Sequence, residues 1–227
     1  MSFRAGLVLT DMRRLSVIMN MSLDGVVQSP GGPDEDPTGG FRYGGWAAPY
    51  YDEEMLDGVR SAPPYELLLG RGTYEIFAAH WPYDAGPIAD RLNGTRKHVA
   101  STTRTELEWE NSTPIEGDVA AYVAELKEGD GPEIQVHGSP GLVQTLLRSD
   151  LIDELRILIF PLVLGTGKRL FGKGTIPAAF KLTDSKVSKT GVTTQVYERA
   201  GEIEPGSFEF DEPTEAELER RKRLGEG

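Results

Sequence analysis

Two hydrophobic periods alternate along this chain, one of two residues and one near 3.6. Leu15-Ser-Val-Ile-Met-Asn20 is apolar and β-branched, a first strand that ends at Ser22-Leu-Asp-Gly25. A glycine- and proline-rich loop over residues 28–48 follows. Loops of that length inside a compact domain are lids, binding loops or disordered segments. Tyr51, Met55, Leu56 and Val59 then recur at helical spacing up to Arg60, behind acidic residues Asp52, Glu53 and Glu54 that suit a helix N-terminus. Glu66–Leu69 reads as a short buried strand, and Gly70-Arg-Gly-Thr-Tyr-Glu75 turns it into a helix. A further short helix over 87–94 precedes the strand His98–Ala100.

The second half repeats the alternation. Val119, Tyr122, Val123 and Leu126 form one helical face, with Asp118 as N-cap and Gly129 as stop. Ile134–His137 is a strand closed by Gly138-Ser-Pro-Gly141, and Leu142, Val143, Leu146 and Leu147 are the apolar face of the next helix. Leu155–Val163 is almost wholly apolar, as expected of a strand buried on both faces. Lys181–Lys189 and Val192–Arg199 flank Thr190-Gly191 as an antiparallel hairpin. Strand–helix alternation ending in a hairpin predicts an α/β domain over residues 1–200, a mostly parallel sheet with an antiparallel edge. Residues 201–227 form a charged appendage, and Thr214 with Glu217 has capping-box spacing for a short helix. That appendage packs on the domain or on a partner subunit, or is a solvated tail.

Composition narrows the chemistry. The chain has 227 residues and no cysteine, so disulfides, cysteine-held zinc and thiol nucleophiles are excluded. His80, His98 and His137 are far apart, which favours structural or surface roles over a metal site. A net charge of −12 argues against a nucleic-acid interface, yet leaves room for a small anionic ligand held by local cations and backbone N–H groups. No apolar run is long enough to span a membrane and the first residues do not make a signal peptide, so a cytoplasmic protein is expected.

Two tempting motifs fail. Gly167 to Gly174 approaches a phosphate-binding P-loop but has Gly174 where the metal-binding hydroxyl is required. Gly138-Ser139-Pro-Gly141 is no nucleophile elbow, because His137 stands where the first glycine is needed. No Gly-x-Gly-x-x-Gly fingerprint follows a strand, against an ordinary Rossmann domain.

Two strand-to-helix turns survive as anion sites. Gly70 allows close backbone approach, with Arg71 and Thr73 supplying a guanidinium and a hydroxyl at a helix N-terminus. Gly138, Ser139 and Gly141 open the second such helix without a bulky side chain to block a pyrophosphate. Each turn alone is better explained as turn chemistry; together they suggest a dinucleotide. Ser101, Thr102 and Arg104, just beyond a strand end, fit a ribose 2′-phosphate, which favours NADPH over NADH, or form a plain polar loop.

The ordered set Asn20-Met-Ser-Leu-Asp-Gly25, Leu69-Gly-Arg-Gly-Thr-Tyr-Glu75, Val99-Ala-Ser-Thr-Thr103, Val136-His-Gly-Ser139, Leu151-Ile-Asp-Glu-Leu-Arg-Ile157 and Phe160-Pro-Leu-Val-Leu-Gly-Thr-Gly-Lys168 resembles the riboflavin-biosynthesis reductase-domain family, over roughly residues 13–200. The resemblance implies the dihydrofolate-reductase-like fold, NADPH across the strand ends, and a homodimer. It implies cofactor contacts for Arg71, Thr73, Ser101, Gly138, Ser139 and Leu142. Asn20, Asp24 and the Pro161–Gly167 turn, Gly165 within it, would line the nicotinamide and substrate end. Unlike the bifunctional riboflavin enzyme, the chain is expected to be a stand-alone reductase without a deaminase domain, since with no cysteine that domain's zinc site could not exist.

The stretch from Ser22 to Gly58 is rich in carboxylates and has one basic residue, Arg42, which argues against a phosphorylated riboflavin precursor as substrate. Phe41, Tyr43, Trp46, Tyr50 and Tyr51 either stack on a flat heterocycle or form the core of the loop. A genuine dihydrofolate reductase is the runner-up enzyme activity, and it requires one of Asp52, Glu53, Glu54 and Asp57 to face inward. Asp24 either delivers a proton or anchors substrate, or holds the turn's backbone N–H groups. The expected activity is hydride transfer to a small heterocyclic or carbonyl substrate. A dimer that binds NADPH, a flavin or a pterin without turnover is the alternative from a different functional class.

Overall fold

The computed structural model describes residues 12–103, 106–172 and 175–225. One eight-stranded sheet is built from β1 (Leu15–Ser22), β2 (Tyr65–Gly70), β3 (Lys97–Ala100), β4 (Ser112–Pro114), β5 (Glu133–Val136), β6 (Glu154–Phe160), β7 (Phe180–Val187) and β8 (Thr193–Arg199). The order is β4-β3-β2-β5-β1-β6-β8-β7. Strands β1 to β6 are parallel, and the β7–β8 hairpin closes that edge antiparallel. The chain leaves β1 toward β2, β3 and β4, returns to place β5 on one flank of β1, and then sets β6 on the other. The crevice at the carboxyl ends of β5, β1 and β6 is therefore where an open α/β sheet binds its ligand.

Alternation along β1 sorts the two faces. Leu15, Val17 and Met19 are buried beneath α4 (Val119–Glu128) and α5 (Pro140–Arg148), together with Ile134, Val136, Leu155 and Ile157. On the opposite face α2 (Arg71–Ala78) and α3 (Pro87–Gly94) cover β2 and β3 through Tyr74, Leu92 and Trp109. Lys97 is fully buried here. Its ammonium donates to the Asn93, Thr95 and Glu110 carbonyls at 2.9, 2.7 and 3.1 Å and lies 4.1 Å from the Trp109 ring.

The helix signals hold. Asp118 accepts the Ala121 N–H at 2.8 Å, and Asp52 accepts the Met55 N–H at 2.9 Å to start α1 (Glu53–Arg60). Three points differ from the sequence reading. β4 was not expected: its Ser-Thr-Pro has no strand pattern and is a strand by virtue of pairing with β3. β6 stops at Phe160, since Pro161 has no N–H for the ladder, and Leu158 and Ile159 are only half-buried. The loop over 28–48 is a packed structure. Gln28 donates to the Asp36 and Thr38 carbonyls and accepts the Lys168 N–H, while Lys168 pairs with Asp36 at 2.6 Å.

The terminal helix α6 (Glu215–Gly225) forms, with the Glu217 N–H on Thr214 Oγ1 at 3.3 Å. Among the described residues its ion pairs stay within the appendage, Glu217 with Arg220 and Arg221, and Arg221 with Glu209, and Phe208 and Phe210 are exposed.

Candidate active site

The two glycine turns chosen from the sequence meet at the carboxyl ends of the adjacent strands β2 and β5. The Gly70 N–H donates to the Gly138 carbonyl at 3.2 Å. A Cβ on Gly70 would lie 2.3 Å from Ser139 Oγ, and one on Gly138 would lie 2.6 Å from Thr73 Oγ1. Gly138 also has φ +130°, a conformation that side-chain-bearing residues avoid. Glycine is required at both positions because the two turns touch.

Above this contact two helix N-termini converge. Ser139 is the N-cap of α5 but makes no side-chain cap hydrogen bond, and Pro140 at the first turn has no N–H to satisfy. Gly141 is exposed, with nothing within 4 Å of the position its Cβ would take, and Leu142 is buried behind it. Gly70 caps α2 without a side chain, so that helix also presents free N–H groups. Arg71 is 55% exposed and only loosely paired with Glu75 at 3.9 Å. Ser101 and Thr102 lie just past Ala100, the register partner of Gly70, so they stand beside Arg71 at the same rim. Arg104 lies outside the described residues. This cradle of backbone donors, one guanidinium and two hydroxyls is a fit for a pyrophosphate with an adenosine-side phosphate.

At the next crevice position, the 161–170 segment is strapped to the end of β1. The Leu23 N–H bonds the Leu162 carbonyl, the Val27 N–H the Lys168 carbonyl, and the Leu170 N–H the Gly25 carbonyl, all at 2.9–3.0 Å. Asp24 is the centre of this strap. Its carboxylate accepts Ser22 Oγ at 2.7 Å, the Leu164 and Gly165 N–H groups at 3.0 and 2.9 Å, and Arg169 at 3.3 Å. Burial pushes the Asp24 carboxyl up, but these hydrogen bonds outweigh it and hold the group at about 2. An ionised, fully engaged carboxylate has no proton to give at neutral pH. In this geometry Asp24 holds the backbone N–H groups of the 161–167 turn. Gly165, at φ +77°, is its partner in the turn, and Pro161 is exposed at the strand end.

The aromatic loop divides. Trp46 is not available to stack on a ligand: it is 7% exposed, its Nε1 donates to the Gln28 carbonyl at 2.8 Å, and its ring meets Phe160 edge-on at 5.2 Å. Tyr50 is half-buried and packs edge-on against the same Phe160 at 5.8 Å. Tyr51 turns its hydroxyl to Asn20 Oδ1 at 2.9 Å, and burial raises its pKa above the ordinary tyrosine value. Asn20 thus lies at the crevice with Tyr51 as its partner.

No carboxylate of the α1 stretch faces the sheet. Asp52 caps the helix, Glu53 and Asp57 pair outside with Arg60, and Glu54 is exposed. The acidic pterin anchor that folate reduction requires is therefore absent from this helix. Two cations from a distant stretch, Lys168 and Arg169, do reach the acidic loop, but each is engaged, by Asp36 and Asp24.

The residue that the sequence reading set aside is His137. It follows β5 on the same face as Glu133 and Gln135 and stacks on Tyr65 with ring centroids 6.1 Å apart. Burial drives its pKa down to about 4, against the opposing pull of Glu133. The signal was present in the polar period-two run Glu133-x-Gln135-x-His137, inside a strand otherwise buried.

Known proteins share this fold. The RibD C-terminal domain model matches residues 13–196. An uncharacterized protein of Bacillus subtilis, YyaP, is 25% identical over 194 residues, covering 82% of this chain and 94% of that protein. A second from the same organism, YwjB, is 31% identical over 120 residues, 53% of this chain and 66% of that one. Among solved structures, a putative riboflavin biosynthesis protein from Shewanella sp. PV-4 superposes with a TM-score of 0.59 at 24% identity, over 82% of this chain and 99% of that one. Dihydrofolate reductase from Enterococcus faecalis, complexed with NADP(H) and RAB-propyl, superposes with a TM-score of 0.54 at 14% identity, over 82% and 96%. These likenesses show the dihydrofolate-reductase-like fold and support a reductase-type function, and the chain belongs to the family of the RibD C-terminal domain.

Proposed function

We propose that this chain is an NADPH-dependent reductase that transfers a hydride to a small heterocyclic or carbonyl substrate. The observation that carries the proposal is the contact of the two glycine turns beneath two open helix N-termini, with Arg71 and the Ser101–Thr102 hydroxyls on the rim. Gly70, Arg71, Thr73, Gly138, Ser139, Gly141 and Leu142 would hold the pyrophosphate, and Ser101, Thr102 and Arg104 the adenosine side. Bound there, the dihydronicotinamide supplies the hydride.

The protein's own contribution is orientation and exclusion of water. The Asp24 strap fixes the 161–167 turn over the ends of β1 and β6, and Asn20 with Tyr51 offers uncharged polar atoms at the substrate end. Outward-facing carboxylates on α1 weigh against folate as the substrate. The paired state of Lys168 and Arg169 weighs against a phosphorylated one.

The test is oxidation of NADPH in the presence of carbonyl, dihydropterin and flavin acceptors, followed by loss of the reduced nicotinamide absorbance. Turnover with any of them supports a reductase. Binding of NADPH without turnover of any acceptor would favour a non-catalytic nucleotide-binding protein.

A further inference from the structure

The face of the central strands turned away from α4 and α5 carries a polar chain that ends at His137. Glu133 accepts four hydrogen bonds. Ser16 Oγ and Arg156 reach Oε1 at 2.5 and 2.6 Å, and Gln135 Nε2 and the other Arg156 nitrogen reach Oε2 at 2.7 and 3.2 Å. Burial raises the Glu133 pKa, and these donors, Gln135 first, lower it below the ordinary value, so Glu133 is an acceptor only. Gln135 must then turn its NH2 toward Glu133, which leaves its Oε1 facing His137 Nε2 at 3.1 Å. An amide oxygen cannot donate, so His137 Nε2 carries the proton and Nδ1 carries the lone pair.

Nδ1 itself has no protein partner among the described residues, and the His137 side chain is half-buried. The groups facing the ring are Gln135 and, beyond it, Glu133 on β5, Arg156 on β6, and the Tyr65 ring on β2, over which Arg91 of α3 lies at 5.9 Å. Asn20 stands on the same face of the neighbouring strand β1. Its Oδ1 is taken by Tyr51, so its free group is the NH2 donor. Strand geometry puts the His137 and Asn20 Cα atoms about 8 Å apart, near enough for both to reach one small ring.

We infer that His137 is a specificity-determining residue, held by Gln135 and Glu133 as a fixed acceptor for an N–H of the substrate ring. The inference rests on the proposed reductase reading for the word substrate, but the hydrogen-bond direction does not depend on it. A neutral acceptor beside a neutral donor selects an uncharged ring that carries N–H next to a carbonyl. The same ring with that nitrogen alkylated is rejected.

The test reads the His137 imidazole by 15N NMR, without NADPH, so that loss of the cofactor reading and loss of this one are separate results. In the unmodified protein the Nε2–H tautomer should persist, with protonation only below about pH 5. Gln135→Leu should release the tautomer into a mixture. Titration with 2-pyridone should shift Nδ1, and N-methyl-2-pyridone should bind about tenfold or more weakly and leave Nδ1 unshifted. An Nδ1–H tautomer in the unmodified protein would overturn the inference. So would equal shifts with the two probes, or no shift with either.

Discussion

Replacing Gly70 with alanine probes the contact on which the site depends. Its backbone, φ −73° and ψ 155°, suits any residue, so the substitution brings no conformational strain of its own. What it brings is a methyl group 2.3 Å from Ser139 Oγ and 3.1 Å from Ser139 Cβ and backbone N. The hydroxyl can rotate away, but the backbone nitrogen cannot, and the turns must move apart by a few tenths of an ångström. Overpacking of this kind costs about 1–3 kcal/mol. For a domain of this size that is a fall in Tm of roughly 2–4 °C per kcal/mol. Urea and thermal unfolding of Gly70→Ala, and of Gly70→Ala combined with Ser139→Gly, measure it. The second change removes the two side-chain atoms that clash, though not the backbone nitrogen, and should recover part of the stability. Unchanged stability in the single variant, or no recovery in the double, would refute the claim that the turns touch.

Three further outcomes follow from the same structure. Asp24→Asn should cost about 1–3 kcal/mol in urea unfolding, because an amide cannot accept from Leu164, Gly165 and Arg169 together. Since the Asp24 carboxyl sits at about 2, below its unfolded value, its stabilisation is complete above about pH 4 and is lost as pH falls toward 2. The Asn variant should lack that part of the acid dependence, and a parallel pH profile for the two proteins would count against the strap. Lys97→Met removes a buried ammonium that serves three carbonyls and should destabilise by roughly 1–3 kcal/mol, seen as a lower urea midpoint with an unchanged slope. Removal of residues 203–227 should leave the Tm of the domain within about 1 °C, since Phe208, Phe210 and the α6 ion pairs make no use of it.

Elements with a strong local signal were legible from the chain. Asp118 and Gly129 bracket α4, and the 3.6-residue spacing of Leu142, Val143 and Leu146 gives α5, because capping and amphipathicity are encoded within a few residues. β4 was not, since its three residues are a strand only through pairing with β3. In the site, the glycine turns could be read singly, but their contact joins residues about seventy positions apart and depends on β5 returning to the flank of β2. The same holds for Asp24. Asp-Gly after a strand suggests a turn, but its burden of four donors comes partly from Leu164, Gly165 and Arg169 on another segment. Trp46 shows the limit of composition: an aromatic residue in a glycine-rich loop looks like a ligand platform until Gln28 and Phe160 are seen to occupy it. His137 was passed over because the period-two run Glu133-x-Gln135-x-His137 shows only a shared strand face, whereas its hydrogen-bonded chain to Glu133 also draws on β1 and β6.

The measurement that bears most directly on the central claim is a calorimetric titration of the purified protein with NADPH and with NADH, repeated with Arg71→Ala. The account predicts micromolar binding of NADPH, weaker binding of NADH, and a loss of about tenfold in NADPH affinity on removing the guanidinium. Absence of binding by either dinucleotide, or an affinity indifferent to Arg71, would contradict it.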